Sequence, residues 1–385
     1  MLKVAQPRLK EDSGSVGRRP RNADRATLQS ERIAVFLPTW VGDLVMATPT
    51  LRALRQGLPN GKLIGVCRGV GDELLAGTPW LDEIVTYRRS WVGKNSMTSC
   101  IRQLRRLKCS TAILLSNSLT TAAMSWSAGC RRRIGFVRHA RRMLLTDPLY
   151  APRGAQGFLP RSATEHYLET LTPVFHGRQS SQICEGQRQV ELATTNQERS
   201  RCEQVWRSLG LAEHQNVVVL NTGGAYGSAK RWPDSKFTEL AQRLANEAVA
   251  VLVNCGPAER ESAARIVTLA NHPHVVSLAG EELAIGLTKA AIQRAQLLIS
   301  NDSGPRHIGA AFQVPTIALF GPTDPRWSDN GNSQEVRLWV AMDCQPCGRR
   351  RCPLQHHRCM TDLSVEQVFN AAMTQLSVNS QWAKC

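Results

Sequence analysis

Short apolar runs, each followed by a loop and an amphipathic stretch, recur in two series along this chain. Arg32-Ile33-Ala34-Val35-Phe36-Leu37-Pro38 has the length and branched-residue content of a buried strand. Leu44, Ala47, Leu51 and Leu54 follow at helical spacing, so strand, tight loop and helix open a βαβ unit. Leu63–Cys67, Ile84–Tyr87 and Ala112–Leu115 read as further strands, with helices at Ser96–Leu107 and Glu165–Phe175. A polar, Gln-rich stretch with one helix at Asn196–Leu209 separates this series from the next. The alternation then restarts, with strands at Val217–Leu220, Ala250–Asn254, Val275–Leu278, Leu297–Ser300 and Thr316–Phe320. Helices fall between them at Asp234–Leu244, with Asp234 as N-cap, and at Ala258–Ala270, Thr288–Ala295 and Pro305–Phe312. Val/Ile/Leu-rich strands alternating with helices imply parallel sheets covered on both faces. The expected fold is therefore α/β, with two doubly wound domains facing a cleft and ligands at the carboxyl ends of the strands. The expected division is a disordered basic extension at 1–31, an N-terminal domain at 32–180, a linker at 181–215, a C-terminal domain at 216–340, and a Cys-rich segment with a C-terminal helix at 341–385.

Composition narrows the function classes. The 385 residues suit two or three domains, and 42% apolar against 21% charged residues excludes a mainly disordered chain. No run approaches the roughly 20 apolar residues of a membrane helix. The first 32 residues are polar and basic, without the apolar core of a signal peptide, so a cytoplasmic protein with reduced cysteines is expected. The formal charge of +17 draws in anions: nucleic acid, anionic lipid or phosphorylated small molecules. Aromatic residues are only 5%, and no aromatic-and-glycine RNA-binding string is present, so no nucleic-acid partner is expected. Arg131, Arg132, Arg133, Arg138, Arg141 and Arg142 crowd one segment. They read either as a solvated basic face or as a patch for anionic lipid head groups or an anionic acceptor.

Candidate chemistry lies in loops that leave strand ends. Pro38-Thr39-Trp40-Val41-Gly42-Asp43 joins the first strand to its helix, and Asp43 is either a helix cap or a general base held in the cleft. Asn221–Pro233 contains Gly223, Gly224 and Gly227, followed by Lys230 and Arg231. Exposed backbone N–H groups with added cations suit a diphosphate, although a flexible basic loop has the same composition. It lacks the glycine spacing of a Walker A loop. Ser300-Asn301-Asp302-Ser303-Gly304-Pro305-Arg306-His307 runs from a strand into a helix with Pro305 near its start, which makes an anion site. Asp302 is placed to accept from sugar hydroxyls, while His307 is either a site residue or a structural histidine. Cys344-x2-Cys347-x4-Cys352-x6-Cys359 contains four thiols, read as a tetrahedral zinc set or as packing thiols.

In their order along the chain, Thr39–Asp43, Ala229-Lys230-Arg231-Trp232-Pro233 and Asn301–Ala311 running into Pro315–Pro322 resemble the lipopolysaccharide heptosyltransferase family, glycosyltransferase family 9. Trp-Val-Gly-Asp and Ala-Lys-Arg-Trp-Pro bring the chain nearest to its heptosyltransferase II members. The resemblance spans about Arg32 to Val368. It implies a GT-B fold of two Rossmann-like domains, the acceptor on the N-terminal one and the nucleotide sugar on the C-terminal one. It implies Asp43 as catalytic base, Lys230 on the donor phosphates, and Asp302, Ser303, Gly304 and His307 along the donor site. Thr39, Gly42, Gly223, Gly224 and Arg231 complete the expected substrate contacts. The implied reaction is an inverting transfer of heptose from ADP-heptose to a lipid-linked core saccharide at the inner face of the cytoplasmic membrane. Fixed positive charge and the lack of an Asp-x-Asp pair imply no required cofactor or metal. Pro305-Arg306 departs from the apolar pair expected before the histidine, which makes Arg306 a candidate for a further phosphate contact or altered sugar choice. Gly309 stands where alanine is usual. The alternatives are a family 9 transferase using another nucleotide sugar and a non-catalytic nucleotide-sugar binding protein.

Overall fold

The computed structural model describes residues 31–155, 157–175, 188–224 and 226–382. The extension up to residue 30 and the 181–187 part of the linker lie outside the described residues. Two six-stranded parallel sheets form the frame. The first contains β1 (Arg32–Phe36), β2 (Lys62–Cys67), β3 (Glu83–Thr86), β4 (Thr111–Leu114), β5 (Arg132–Phe136) and β6 (Asp147–Leu149), in the order β3-β2-β1-β4-β5-β6. A two-residue antiparallel hairpin, β7 (Arg153–Gly154) and β8 (Gly157–Phe158), follows it. The second sheet contains β9 (Val217–Asn221), β10 (Ala250–Asn254), β11 (Val275–Ser277), β12 (Leu297–Asn301), β13 (Thr316–Leu319) and β14 (Glu335–Leu338), in the order β11-β10-β9-β12-β13-β14. Both sheets reverse direction of winding beside their first strand, between β1 and β4 and between β9 and β12. In an open parallel sheet that reversal leaves a crevice at the carboxyl ends, where ligands bind.

Burial follows the two-residue period. Ile33 and Val35 of β1 face one core, while Ala34 and Phe36 face a second core with Ile64, Val66 and Leu114. Both faces of the first sheet are thus covered by helices, and β9, β10 and β12 are buried along their whole length. The C-terminal helix Val365–Trp382 packs back on helix Asp234–Asn246, where Arg243 lies 4.2 Å over the Phe369 ring.

Several elements differ from the sequence expectation. Helix Glu165–Phe175 is two helices, Ala163–Glu169 and Thr172–Phe175, with Pro173 at the start of the second. Asp234 does not cap its helix: Pro233 occupies the N-cap position, and the Asp234 carboxylate instead accepts from Ser262 Oγ at 2.6 Å and pairs with Arg265. β5, β6, β14 and helix Leu119–Ser127 were not anticipated, since β5 opens with two arginines and β6 carries Pro148 on a sheet edge.

The halves meet at several places: Ser162 Oγ donates to the Asp329 carbonyl at 2.7 Å, and two further contacts are closely packed. Helix Gly304–Ala311 crosses helix Val41–Met46 at a pair of glycines. A Cβ on Gly304 would come within 2.9 Å of Val41 Cβ, and one on Gly42 within 2.7 Å of His307 Cδ2. The second contact is Lys289, on helix Ile285–Arg294 of the second half, whose ammonium is completely buried. It donates to the carbonyls of Glu73, Leu74 and Ala76 at the end of helix Gly71–Leu75, and to the Ala193 carbonyl. Its counter-charge is Glu198, at 2.9 Å.

Candidate active site in the interdomain cleft

The two crevices face one another across a cavity of about 470 Å³. It brings together Gly42 and Asp43 from the first half with Gly223, Gly224, Lys230, Asp302, Ser303, Gly304 and His307 from the second. Thr39 and Arg231 are exposed and do not line it; Arg231 lies 3.8 Å from Glu259.

Asp43 sits in the first turn of helix Val41–Met46, which no side chain caps. Burial disfavours its ionised form and the Lys230 ammonium pulls the other way; the net result is a carboxyl raised from 3.8 to about 6. That places a carboxylate base near the operating pH, where proton transfer is most effective. The neighbouring Tyr167 hydroxyl is pushed well above its usual range, by burial and by the Asp43 charge.

Across the cavity, Lys230 Nζ donates to Asp302 Oδ2 at 2.6 Å and to the Asp302 carbonyl at 3.2 Å, with the Tyr226 ring 4.8 Å away. Asp302 accepts further from Thr323 Oγ1 at 2.7 Å, Arg306 Nη1 at 3.1 Å and Ser328 Oγ at 3.3 Å. Burial opposes its charge, but the Lys230 and Arg306 cations and these hydrogen bonds hold the carboxyl well below the usual range. With these donors the carboxylate's capacity of about four lone pairs is filled. Asp302 therefore anchors Lys230 and is not a free acceptor for sugar hydroxyls. Arg306 is likewise not directed at a phosphate. Its guanidinium is fully buried and grips Glu335 in two bonds of 2.7 and 2.8 Å. Gly309, one turn on, lets the helix seat closely, because a Cβ there would lie 2.7 Å from Leu298 Cδ2.

His307 is buried, and burial together with the nearby Arg306 cation lowers its pKa to about 3, so the ring is neutral. Asn330 Nδ2 donates to His307 Nδ1 at 3.2 Å, which leaves the proton on Nε2, facing Gly42.

The floor of the second half is a ladder of amides that the motif reading overlooked. Asn254 donates to Asn221 at 3.0 Å, Asn221 to Ser303 Oγ at 3.0 Å, and Thr288 to Asn254 at 3.1 Å. Asn301 accepts from the Trp232 N–H at 3.1 Å and donates to the Thr222 carbonyl at 2.9 Å, pinning both ends of the glycine loop. Asn221, Asn254 and Asn301 each end an apolar strand with a polar side chain, a signal visible in the sequence. The Cys-rich segment braces the same loop: the Ala229 N–H donates to the Arg350 carbonyl at 3.1 Å, Tyr226 Oη to the Gly348 carbonyl at 2.6 Å, and His357 Nε2 stands 2.9 Å from the Ala229 carbonyl. Gly227 is required there, since a Cβ would overlap the Arg350 carbonyl.

The four clustered thiols do not form a tetrahedral set. Cys344 Sγ faces His356 Nε2 at 4.0 Å, and among the described residues no group of three or more His, Cys, Asp or Glu is arranged to hold a metal ion. Burial pushes the thiols of Cys67, Cys100 and Cys130 up to about 12, and the described cysteines are free. The arginine cluster does not form a single face either. Arg132 pairs with Asp147 at 2.9 Å, Arg133 is bound to the Cys130 and Leu144 carbonyls, and Arg141 is fully buried. No helix among the described residues is long and apolar enough to cross a membrane.

Comparison with known proteins fits this geometry. Lipooligosaccharide heptosyltransferase 2 of Campylobacter jejuni subsp. jejuni serotype O:2 is 27% identical over 346 residues, covering 89% of this chain and 97% of the relative. Lipopolysaccharide heptosyltransferase 2 of Escherichia coli K12 is 25% identical over 303 residues, covering 76% of this chain and 84% of the relative. The solved structure of E. coli ADP-heptose LPS heptosyltransferase II superposes with a TM-score of 0.75 at 21% identity, over 91% of this chain and 99% of that one. The two facing sheets are thus a GT-B fold. The description of glycosyltransferase family 9 (heptosyltransferase) matches residues 97–358, from the first half across the cleft into the Cys-rich segment, and the chain belongs to that family of transferases.

Proposed function

We propose that this transferase moves a heptose from ADP-heptose to a lipid-linked core saccharide of lipopolysaccharide, as a heptosyltransferase II-like enzyme. The observation that carries the reading is one cavity holding a carboxyl poised near pH 6, Asp43, opposite a fixed cation, Lys230. The names of the relatives supply the sugar and the acceptor class. Asp43 takes the proton of the acceptor hydroxyl as that oxygen attacks the anomeric carbon, and the configuration inverts. The departing ADP gains negative charge at its β-phosphate. Lys230 and the open N–H groups of helix Gly304–Ala311 neutralise it. His307, neutral and with its proton on Nε2, serves as a hydrogen-bond donor and not as an acid. Because Lys230 and the helix supply fixed positive charge, turnover is expected to persist in EDTA. The acceptor's lipid places the reaction at the inner face of the cytoplasmic membrane.

The test is transfer from ADP-heptose to purified heptose-deficient lipopolysaccharide by the full chain and by Asp43→Asn. Loss of transfer with ADP affinity retained supports the reading. Equal turnover by the variant removes Asp43 as base, and binding without transfer by the wild type favours a nucleotide-sugar binding protein. Transfer only from another nucleotide sugar changes the donor and keeps the mechanism.

A further inference from the structure

In the first half, at the carboxyl ends of β4 and β5, positive charge is left without a counter-ion among the described residues. Arg141 is completely buried, yet its guanidinium meets only neutral acceptors: the Phe136 carbonyl at 2.8 Å, the carbonyls of Ser116 and Ser118, and Asn117 Oδ1 at 2.8 Å. A buried ion is ordinarily paired, because desolvation costs several kcal/mol or more. Gly135 leaves room for it, since a Cβ there would stand 3.1 Å from Arg141 Nη2. Two more guanidiniums share one aromatic ring: Arg138 lies 3.5 Å and Arg153 4.5 Å from the Phe158 centroid. Partial burial, and then the repulsion of Arg153, lower the Arg138 pKa. Among the described residues none of these three arginines has a carboxylate within ion-pair distance. The nearby carboxylates of Glu165 and Glu169 are engaged by Arg161, and Glu165 also by Arg188. The charge adjoins the catalytic base through helix Ala163–Glu169. His166, stacked on Phe136 at 3.7 Å, is half-buried and kept neutral by that desolvation and by Arg138, Arg161 and Arg141 around it, while the adjacent Tyr167 feels the Asp43 charge.

We propose that Arg138 and Arg153, held on the Phe158 ring beside Asn117 and His166, bind an anionic group of the acceptor saccharide, a carboxylate or a phosphate, and so set which hydroxyl meets Asp43. This rests on the transferase reading above for the identity of the acceptor, but the anion site stands on its own geometry. The hairpin β7–β8 presents Arg153 and Phe158 directly opposite one another, so the site is carried on a backbone ladder. Arg141 does not touch the ligand. It fixes Asn117 and adds positive potential behind the half-buried Arg138 and the exposed Arg153.

Arg153 is exposed, so Arg153→Gln tests the site without endangering the fold; Arg138→Gln and the double variant follow. With a delipidated acceptor oligosaccharide, the acceptor KM is expected to rise about 10-fold or more for each lost charge-assisted bond, with ADP affinity unchanged and Arg153→Lys largely restoring it. Calorimetric titration of the full chain with inorganic phosphate, glucuronate and methyl glucoside reads the site without turnover. Binding of either anion, lost in the double variant, supports the proposal and tells phosphate from carboxylate. An unchanged acceptor KM in the double variant overturns it. So does a KM change confined to lipid-linked acceptor in vesicles, which would assign the arginines to lipid head groups. Anion binding that depends on these arginines in a protein that transfers no sugar would instead refute the transferase reading and leave the anion site standing.

Discussion

The two sheets share one strand order and one direction of winding, yet their carboxyl ends are finished differently. In the second half, every charge at the crevice is balanced in place: Lys230 by Asp302, Asp302 by Arg306, Arg306 by Glu335, and Glu335 also by Arg337 at 2.7 Å. An amide ladder ties the loops beneath. In the first half, Asp43 stands in a desolvated place that resists its charge, and Arg141 lies buried without an acid. The second half is preorganised before any ligand arrives, so under the proposed function little reorganisation is needed when a diphosphate enters. The first half carries electrostatic stress, in a desolvated carboxyl and an unpaired guanidinium. One topology thus supports a rigid half and a responsive half, and the difference lies in side chains at strand ends.

The largest effect is expected from breaking the balanced half. Asp302→Ala leaves Lys230 and Arg306 facing each other without their shared carboxylate. Removing one partner of a buried ion pair costs about 3–5 kcal/mol, so chemical denaturation should show a loss of that order. ADP affinity should fall with it, by calorimetry; unchanged stability would mean that the network is not coupled as described.

Next is Asp43→Asn, expected to lower turnover by roughly 10²-fold or more. The same substitution should stabilise the protein. Because folding raises this carboxyl from 3.8 to about 6, its cost is absent below pH 4, grows as pH rises, and is complete above pH 6. The displacement corresponds to roughly 3 kcal/mol. Denaturation at pH 4 and pH 8 should therefore separate wild type from variant only at the higher pH.

Lys230→Ala should weaken ADP binding by about 1.5–3 kcal/mol, the worth of a charge-assisted bond, and leave acceptor binding unaffected. It also removes the cation that holds Asp43 down, so the acid limb of the pH–rate profile, expected near pH 6 in the wild type, should move upward. A limb that stays in place would separate the two halves electrostatically. The smallest effect is expected from Gly304→Ala, which presses on Val41 Cβ at the helix crossing. It should raise KM for the donor by a few-fold, measured by initial rates, and cost about 1 kcal/mol of stability, the lower end for overpacking.

How much of this was legible in the sequence depended on how local each signal was. β9, β10, β12 and β13 read directly, as buried runs of Val, Ile and Leu bounded by polar residues. β5 did not, because Arg132 and Arg133 occupy its first positions and find partners only in the folded chain, at Asp147 and the Leu144 carbonyl. Gly42, Asp43, Lys230, Asp302 and Ser303 were found because they lie at or just after loops that leave strands at their carboxyl ends, whereas Asn254 and Thr288, which also line the cavity, were not. What they do there was less accessible. The partners of Arg306 and His307 lie at Glu335 and Asn330, beyond any local period. A regular cysteine spacing from Cys344 to Cys359 likewise says nothing of whether the thiols converge.

Lys289 has a mechanical consequence. Its ammonium joins the end of helix Gly71–Leu75 in one half to Ala193 and Glu198 beside the other, through five polar contacts gathered at one nitrogen. A pin of that kind tolerates rotation about itself, since the contacts radiate from a point, but resists sliding, which would strand a buried charge. Any opening of the cleft must turn about that nitrogen or strand its charge, and the helix crossing at Gly304 and the Ser162–Asp329 hydrogen bond restrain it further.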